Sequence, residues 1–165
     1  MSELNGRKVE LPHGAIAWQP CMIASESIGN RTNIGALSHI GKNVKIGENC
    51  KIQGSVYIAD GCVIGSEVFI GPNATLTNDR HPPSGGKWSP VVVEDKVVIG
   101  ANATVVAGVT LESGCVVGAG SVVTNDVPSN QVWAGNPAKF LMTLDEYHSC
   151  LLYTSDDADE GLGVD

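Results

Sequence analysis

The sequence predicts an all-β fold, a parallel solenoid whose coils consist of short strands and tight turns. Two observations predict it. The first is a period of six: Ile16, Met22, Ile28, Ile34, Ile40, Ile46, Ile52, Ile58, Ile64, Ile70 and Leu76 are all aliphatic or Met, and after a break the phase restarts at Val93, Ile99, Val105, Leu111, Val117 and Val123. A helical period of 3.6 would drift off this pattern within two turns, whereas six is three times the strand period and returns each residue to one face. The second is composition. With 20 glycines and many β-branched residues the chain is a poor helix former, and with only 3 Trp, 3 Tyr and 2 Phe its core must be aliphatic.

Each hexad has the same internal grammar. Two residues before the aliphatic stands a small or β-branched residue, as at Thr32, Ser38, Val44, Cys50, Cys62, Ala103, Cys115 and Ser121. Gly often follows the aliphatic, as at Gly29, Gly35, Gly47, Gly71 and Gly100. Gly or Asn near each turn is expected to supply the left-handed conformations that a corner demands. Stacked hexads bury the aliphatics in one column, and each coil is stable only through its neighbours.

Length and charge bound the function. The 165 residues suit one domain with a short tail. Of the net charge of −8, five acids lie after Cys150, leaving −3 for residues 1–150. No basic stripe of the kind that nucleic-acid binding needs is present. No apolar run reaches the ~18 residues of a membrane span, and the N-terminus has no signal-peptide core, so a cytoplasmic protein without membrane attachment is expected. Five cysteines without CxxC spacing point away from a disulfide framework or a zinc site and towards a reducing compartment. Cys50, Cys62 and Cys115 share the inward small position and are expected in the core.

The chain divides into a lead-in over 1–15, the repeats over 16–140, a capping helix over 141–152, and an acidic, disordered tail over 153–165. Phe140, Leu141, Leu144, Tyr147 and Leu151 recur at helical spacing, which predicts the cap that a solenoid end requires. Ser149 to Glu160 resembles adaptor read-through at the end of a gene model, so this stretch is expected to be foreign to the native protein. Within the repeats the phase breaks once, over 77–92, in the polar, Pro- and Gly-rich stretch TNDRHPPSGGKWSPVV. A long loop in a compact repeat protein is functional or disordered. This one gathers Asn78, Asp79, Arg80, His81 and Trp88, which favours function.

The pattern from Ile16 to Phe140 resembles the hexapeptide-repeat acyltransferases, and VWAGNPAKF (132–140) is similar to their terminal motif. The resemblance implies a left-handed parallel β-helix with three hexads per coil. It also implies a homotrimer that binds acetyl-CoA in a groove at a subunit boundary and transfers the acyl group to a nucleophile on the acceptor. GPNATLTNDRHPPS (71–84) is similar to two branches. The sugar and galactoside O-acetyltransferases end such a loop in a His-Pro pair whose His is the general base, matched here by His81-Pro82. The N-acetyltransferases of nucleotide-linked 3-amino sugars, enzymes of surface polysaccharide biosynthesis, carry an Asn-Asp-Arg run matched by Asn78, Asp79, Arg80, Pro82 and Ser84. Pro83 stands where that branch commonly has Arg.

Chemistry separates the branches. A hydroxyl needs a base, and an imidazole with an ordinary pKa near ~6.5 suits that task. An amine is nucleophilic once neutral, so orientation by Asn78 is expected to suffice, with Asp79 or water taking the proton. Three consecutive matching residues favour the amine reading; His81 keeps the hydroxyl reading open. Arg80, Ser84 and Trp88 are the expected substrate contacts, with Trp88 stacking on a base or packing on a neighbouring subunit. For the donor the resemblance assigns Ala101 and Ala119 to the pantetheine arm, and Thr124 and Lys139 to the adenosine phosphates. Asn125 stands where the family often has Lys, which removes one phosphate contact unless Lys96 replaces it. A γ-class carbonic anhydrase, which shares the fold, needs three converging His ligands. The four histidines here lack that spacing, so no metal is expected. A catalytically dead scaffold is disfavoured by the intact loop and terminal motif.

Overall fold

A computed structural model describes residues 6–156, and the side chains of residues 6–150. Each hexad forms a two-residue strand ending on its inward aliphatic, followed by a four-residue corner. Strands pair in parallel with the third strand along: Ile34 lies over Ile52, Ile52 over Ile70, and Ile99 over Val117. Three hexads therefore close one coil of a left-handed parallel β-helix with a triangular section.

The chain visits three sheets in rotation. The first contains β1 (Arg7–Glu10), β2 (Ile16–Gln19), β5 (Asn33–Ile34), β8 (Lys51–Ile52), β11 (Phe69–Ile70), β14 (Val98–Ile99), β17 (Val116–Val117), β19 (Gln131–Gly135) and β20 (Ala138–Thr143). The second contains β3 (Met22–Ile23), β6 (His39–Ile40), β9 (Tyr57–Ile58), β12 (Thr75–Leu76), β15 (Thr104–Val105) and β18 (Val122–Val123). The third contains β4 (Ser27–Ile28), β7 (Lys45–Ile46), β10 (Val63–Ile64), β13 (Val92–Val93) and β16 (Thr110–Leu111).

The inward column and the small positions make one continuous core, from Ile28 and Ile34 to Val117 and Val123. Polar members of the small positions are buried with their hydrogen bonds made. Thr32 Oγ1 donates to the Gly47 carbonyl at 2.8 Å, and Ser38 Oγ donates to the Gln53 carbonyl at 3.0 Å. Ser121 Oγ accepts from the Gly135 amide at 3.1 Å. Burial pushes the Cys62 thiol up to about 11 and the Cys115 thiol to about 12, so these cysteines behave as small apolar residues.

The expectation for the first coil needs correction. The first coil is one residue short: Ala17 pairs with Ile34 and Ile23 with Ile40, so Ala17 and Ile23 take the inward places assigned to Ile16 and Met22. Met22 instead lies on the outer face, 56% exposed. The left-handed conformation falls to corner residues such as Asn43, Asn49 and Gly61, as expected of Gly or Asn near a turn, and the glycines directly after the aliphatics are not the ones that supply it. Gly47 and Gly71 do not have positive φ; a Cβ on Gly47 would lie 2.6 Å from the Gly65 carbonyl carbon of the next coil. These glycines let coil lie on coil. The left-handed residue comes two positions later and recurs in phase as Arg31, Leu37, Asn43, Asn49, Ser55, Gly61, Glu67 and Asn73. Asn and Gly suit that conformation, and the others adopt it because the stack imposes it.

Both ends are closed. At the N-terminal end β1 runs antiparallel to β2, with Lys8 opposite Trp18. At the C-terminal end the β19–β20 hairpin covers the last coil and leads into α1 (Leu144–Asp156). Residues 141–143, expected in the helix, belong to β20. Thr143 and Glu146 form a reciprocal cap: the Glu146 carboxylate accepts from the Thr143 amide at 2.7 Å, and Thr143 Oγ1 accepts from the Glu146 amide at 3.3 Å. Those bonds hold the Glu146 carboxyl below the usual range. Among the described residues no helix is long and apolar enough to cross a membrane. Of the tail expected over 153–165, residues 153–156 belong to α1, and 157–165 lie outside the described residues.

Candidate active site

The phase break is an insertion into an otherwise undisturbed stack. Val63 pairs with Lys45 eighteen residues earlier and with Val92 twenty-nine residues later, so eleven extra residues leave the prism between β12 and β13. They emerge at the corner joining the second and third sheets. The register resumes at once, since Val92 pairs with Thr110 in the ordinary way.

The base of the loop is fastened on both sides. Asn78 Nδ2 donates to the Asp60 carbonyl of the coil below at 3.0 Å, and the Asn78 carbonyl accepts from the Ser89 amide at 2.7 Å, closing the neck. The Arg80 guanidinium crosses the coils above, donating to the Ala107 carbonyl at 3.0 Å and the Thr124 carbonyl at 3.5 Å. Asp79 organises the crest: Oδ1 accepts from the His81 amide at 3.1 Å and Oδ2 from the Ser84 amide at 2.9 Å. The Ser84 amide in particular holds the Asp79 carboxyl below the usual range.

The loop residues thus differ in what they have left to offer. Asn78 Nδ2, both Asp79 oxygens and the Arg80 guanidinium have partners within the protein, whereas the exposed His81 imidazole makes no hydrogen bond among the described residues. Gly85 and Gly86, both at positive φ, form an open tip, and Trp88 on the return limb is 52% exposed.

Three of the four residues expected to hold the donor divide between two edges of the second sheet, and the fourth, Lys139, lies on the first. Thr124 lies at the loop's corner, where its carbonyl receives Arg80. Ala101 and Ala119 stack one coil apart at the opposite corner, tied by the Gly120 amide donating to the Ala101 carbonyl at 2.8 Å. Lys139 is exposed on β20, opposite Ala134. The outer face between the corners carries Thr75, Thr104 and Val122 in register. Sequence reasoning passed over these three, although the residue just before each inward aliphatic must point outward. Lower on that face His39 stacks on Tyr57, ring centroids 4.7 Å apart. Trp133 packs against the core and donates to Gln131 Oε1 at 2.8 Å. Among the described residues no three metal-ligating side chains converge.

Two results should follow from this anchoring. Arg80→Ala removes a charged donor from two carbonyls, a loss of about 1.5 kcal/mol, so limited proteolysis between residues 77 and 91 should accelerate about tenfold with the urea midpoint nearly unchanged. Acid should also loosen the loop. A depressed carboxyl stabilises the closed loop above its ordinary titration range, and that contribution disappears as pH falls through the depressed value. Cleavage should be slow at pH 5 and should rise below the ordinary Asp range in wild type, but not in Asp79→Asn.

Comparison with known proteins agrees with the coil geometry. The bacterial transferase hexapeptide (six repeats) model matches residues 27–60 and 43–78, and the model for the hexapeptide repeat of succinyl-transferase matches 90–125. Together they span more than half of the sequence. The chain belongs to the hexapeptide-repeat transferases. It is 45% identical over 82 residues to the 2,3,4,5-tetrahydropyridine-2,6-dicarboxylate N-acetyltransferase of Staphylococcus aureus strain JH9, a match covering 50% of this chain and 33% of that protein. The match thus spans about a third of the curated relatives' length. Among solved structures it is similar to WeeI from Acinetobacter baumannii AYE, with TM-score 0.67 and 28% identity over 77% of this chain and 57% of that one. It is also similar to the hexapeptide-repeat acetyltransferase VCA0836 of Vibrio cholerae O1 biovar eltor complexed with acetyl-CoA, with TM-score 0.57 and 28% identity over 79% and 71% of the two chains. In this hexapeptide-repeat chain the insertion falls between the segments matched by the two models.

Proposed function

We propose that the chain is an acetyl-CoA-dependent N-acetyltransferase acting on the amino group of a nucleotide-linked amino sugar. The observation that carries this reading is the braced loop, which presents an exposed His81 imidazole without a hydrogen bond among the described residues, next to an Arg80 that reaches the Thr124 carbonyl. The acceptor amine attacks the thioester carbonyl in its neutral form. His81 is the group that takes the proton nitrogen sheds as the C–N bond forms, and it returns that proton to the departing sulfur, so that CoA leaves as the thiol when the tetrahedral intermediate collapses. Asn78 and Asp79 act through the loop, fixing the height and direction of its crest. This shifts part of the chemistry first assigned to Asn78 and Asp79 onto His81.

The donor follows from the acetyl-CoA complex of VCA0836 and from small residues at Ala101 and Ala119, where backbone can approach a pantetheine arm closely. Thr124 and Lys139 are the proposed phosphate contacts. Transfer to nitrogen is supported by the name of the S. aureus relatives, and the nucleotide-linked sugar by the Asn78-Asp79-Arg80 run. A cytoplasmic homotrimer, in which a groove between copies unites the two edges of the second sheet, completes the proposal. O-acetyl transfer to a sugar hydroxyl is the second reading, favoured by the same uncommitted His81 followed by Pro82.

The deciding experiment is CoA release from acetyl-CoA by the purified full chain with three acceptors: a nucleotide-linked 3-amino sugar, the matching 3-hydroxy sugar, and a tetrahydropyridine dicarboxylate. Turnover with the amino sugar alone is expected. Turnover confined to the hydroxy sugar establishes the second reading, and turnover confined to the dicarboxylate removes the sugar from the proposal.

A further inference from the structure

The first sheet carries a cleft that the acyl-transfer reading does not use. About 430 Å³ in volume, it is lined by Trp18, Arg31, Asn33, Asn49, Lys51 and Gln53 over a floor at Gly35 and Ile52. It lies on the outer face of the N-terminal coils, flanked by the corner that carries Arg31. The loop with His81 leaves the prism at the corner opposite this sheet. The body of the β-helix therefore separates the two places within one chain.

Three features of the cleft point to one kind of ligand. Trp18 is 38% exposed and lines the cleft together with Gly35, which has no side chain to set against the indole. Positive charge is concentrated here: Arg31 and Lys51 line the cleft, and Lys8 stands directly opposite Trp18 across the β1–β2 pair. Among the described residues none of the three makes an ion pair. No carboxylate lines the cleft; Glu48 and Glu67 stand at the same corner column as Arg31 and Asn49, outside the lining. In a chain with 10 bases and 18 acids, such a cluster runs against the average. Finally, Arg31 is held in place. Its backbone is left-handed at φ 56°, and Nε donates to Asn49 Oδ1 at 2.7 Å, which leaves the two terminal nitrogens of the fork for a ligand.

We infer that this cleft is a second ligand site, which takes a nucleoside diphosphate. The planar base stacks on Trp18, as bases do on exposed aromatic rings. The diphosphate meets Arg31 and Lys51, and the amides of Asn33 and Gln53 supply donors and acceptors for the ribose hydroxyls or the base edge. The volume is of the size that small-ligand clefts have. The site does not depend on the proposed acetyl transfer, since none of its residues belongs to the loop.

The test is equilibrium dialysis of the full chain against uridine diphosphate, thymidine diphosphate and inorganic pyrophosphate. Saturable binding of at least one nucleotide is expected, equal in wild type and His81→Ala, at least tenfold weaker in Trp18→Ala and in the Arg31→Ala/Lys51→Ala pair, and weaker as salt rises. Arg31 and Lys51 are exposed, so the pair leaves the core intact. Pyrophosphate should bind at least tenfold more weakly than the nucleotide. Three results overturn the inference: no saturable nucleotide binding, binding that survives the pair and Trp18→Ala alike, or pyrophosphate binding as tightly as the nucleotide. Failure of this site and failure of the acetyl-transfer reading show up separately, because dialysis reads nucleotide binding whereas CoA release reads acetyl transfer.

Discussion

His81→Ala is expected to lower kcat/KM for acetyl transfer by about 10²–10⁴-fold, the range that a positioned general base supplies. Folding should be untouched. The side chain is exposed and makes no hydrogen bond among the described residues, and the backbone amide that Asp79 holds is still present in alanine. The loss should fall on kcat more than on KM, because the base acts on the proton in flight rather than on the bound acceptor. A decrease smaller than about tenfold would remove His81 from the chemistry and return the acceptor's proton to water.

Gly71→Ala should be a strongly damaging single-methyl change near the proposed donor groove. Gly71 follows the inward Ile70, and its amide donates to the Ile99 carbonyl of the next coil at 2.7 Å. A Cβ there would lie 2.6 Å from the Ala101 amide nitrogen and 2.8 Å from the Gly100 carbonyl carbon. Both are backbone atoms, so no side chain can turn aside. The two coils must separate, which strains the hydrogen bonds between them and leaves a gap in the column beside Ile70 and Ile99. The expected loss is about 3 kcal/mol, at the upper end of ordinary overpacking, read as a lower urea midpoint. Ala101 moves with its coil, so the KM for acetyl-CoA should rise even where the fold survives. Gly85→Ala, at the open tip, is the control. Nothing lies within 4 Å of its would-be Cβ, and only the positive φ opposes the change.

The solenoid was legible because its code is redundant. An aliphatic every six residues and a small residue two places earlier, repeated from Ile28 to Val123, leave one phase that buries both sets. Where redundancy ended, reading failed. At the first coil both Ile16 and Ile23 could face inward on composition. Hydrogen bonds settle the register there, with the Ile16 amide donating to the Thr32 carbonyl and the Met22 amide to the Ser38 carbonyl. Gly or Asn at the left-handed corner position was legible, as at Asn43, Asn49 and Gly61, but the second use of glycine, a bare Cα against the next coil as at Gly47 and Gly71, was not. In the loop, the residue types announced a site, but not how they divide the work. That Arg80 reaches Ala107 and Thr124 depends on contacts 27 and 44 residues away in sequence. The cleft at Trp18 was not legible, because Lys8, Arg31 and Lys51 are brought together by the winding alone.

The eleven extra residues enter and leave the prism without shifting a single rung above them, from Val92 over Val63 onward. The helix is thus indifferent to what hangs from that corner: the outgoing and returning strands are set by the stack, and the excursion has only to start and finish there. Such a corner works as a socket. Segments of other lengths and chemistries can be exchanged at it while the winding stays the same, so acceptor preference can diversify far faster than the scaffold that displays it.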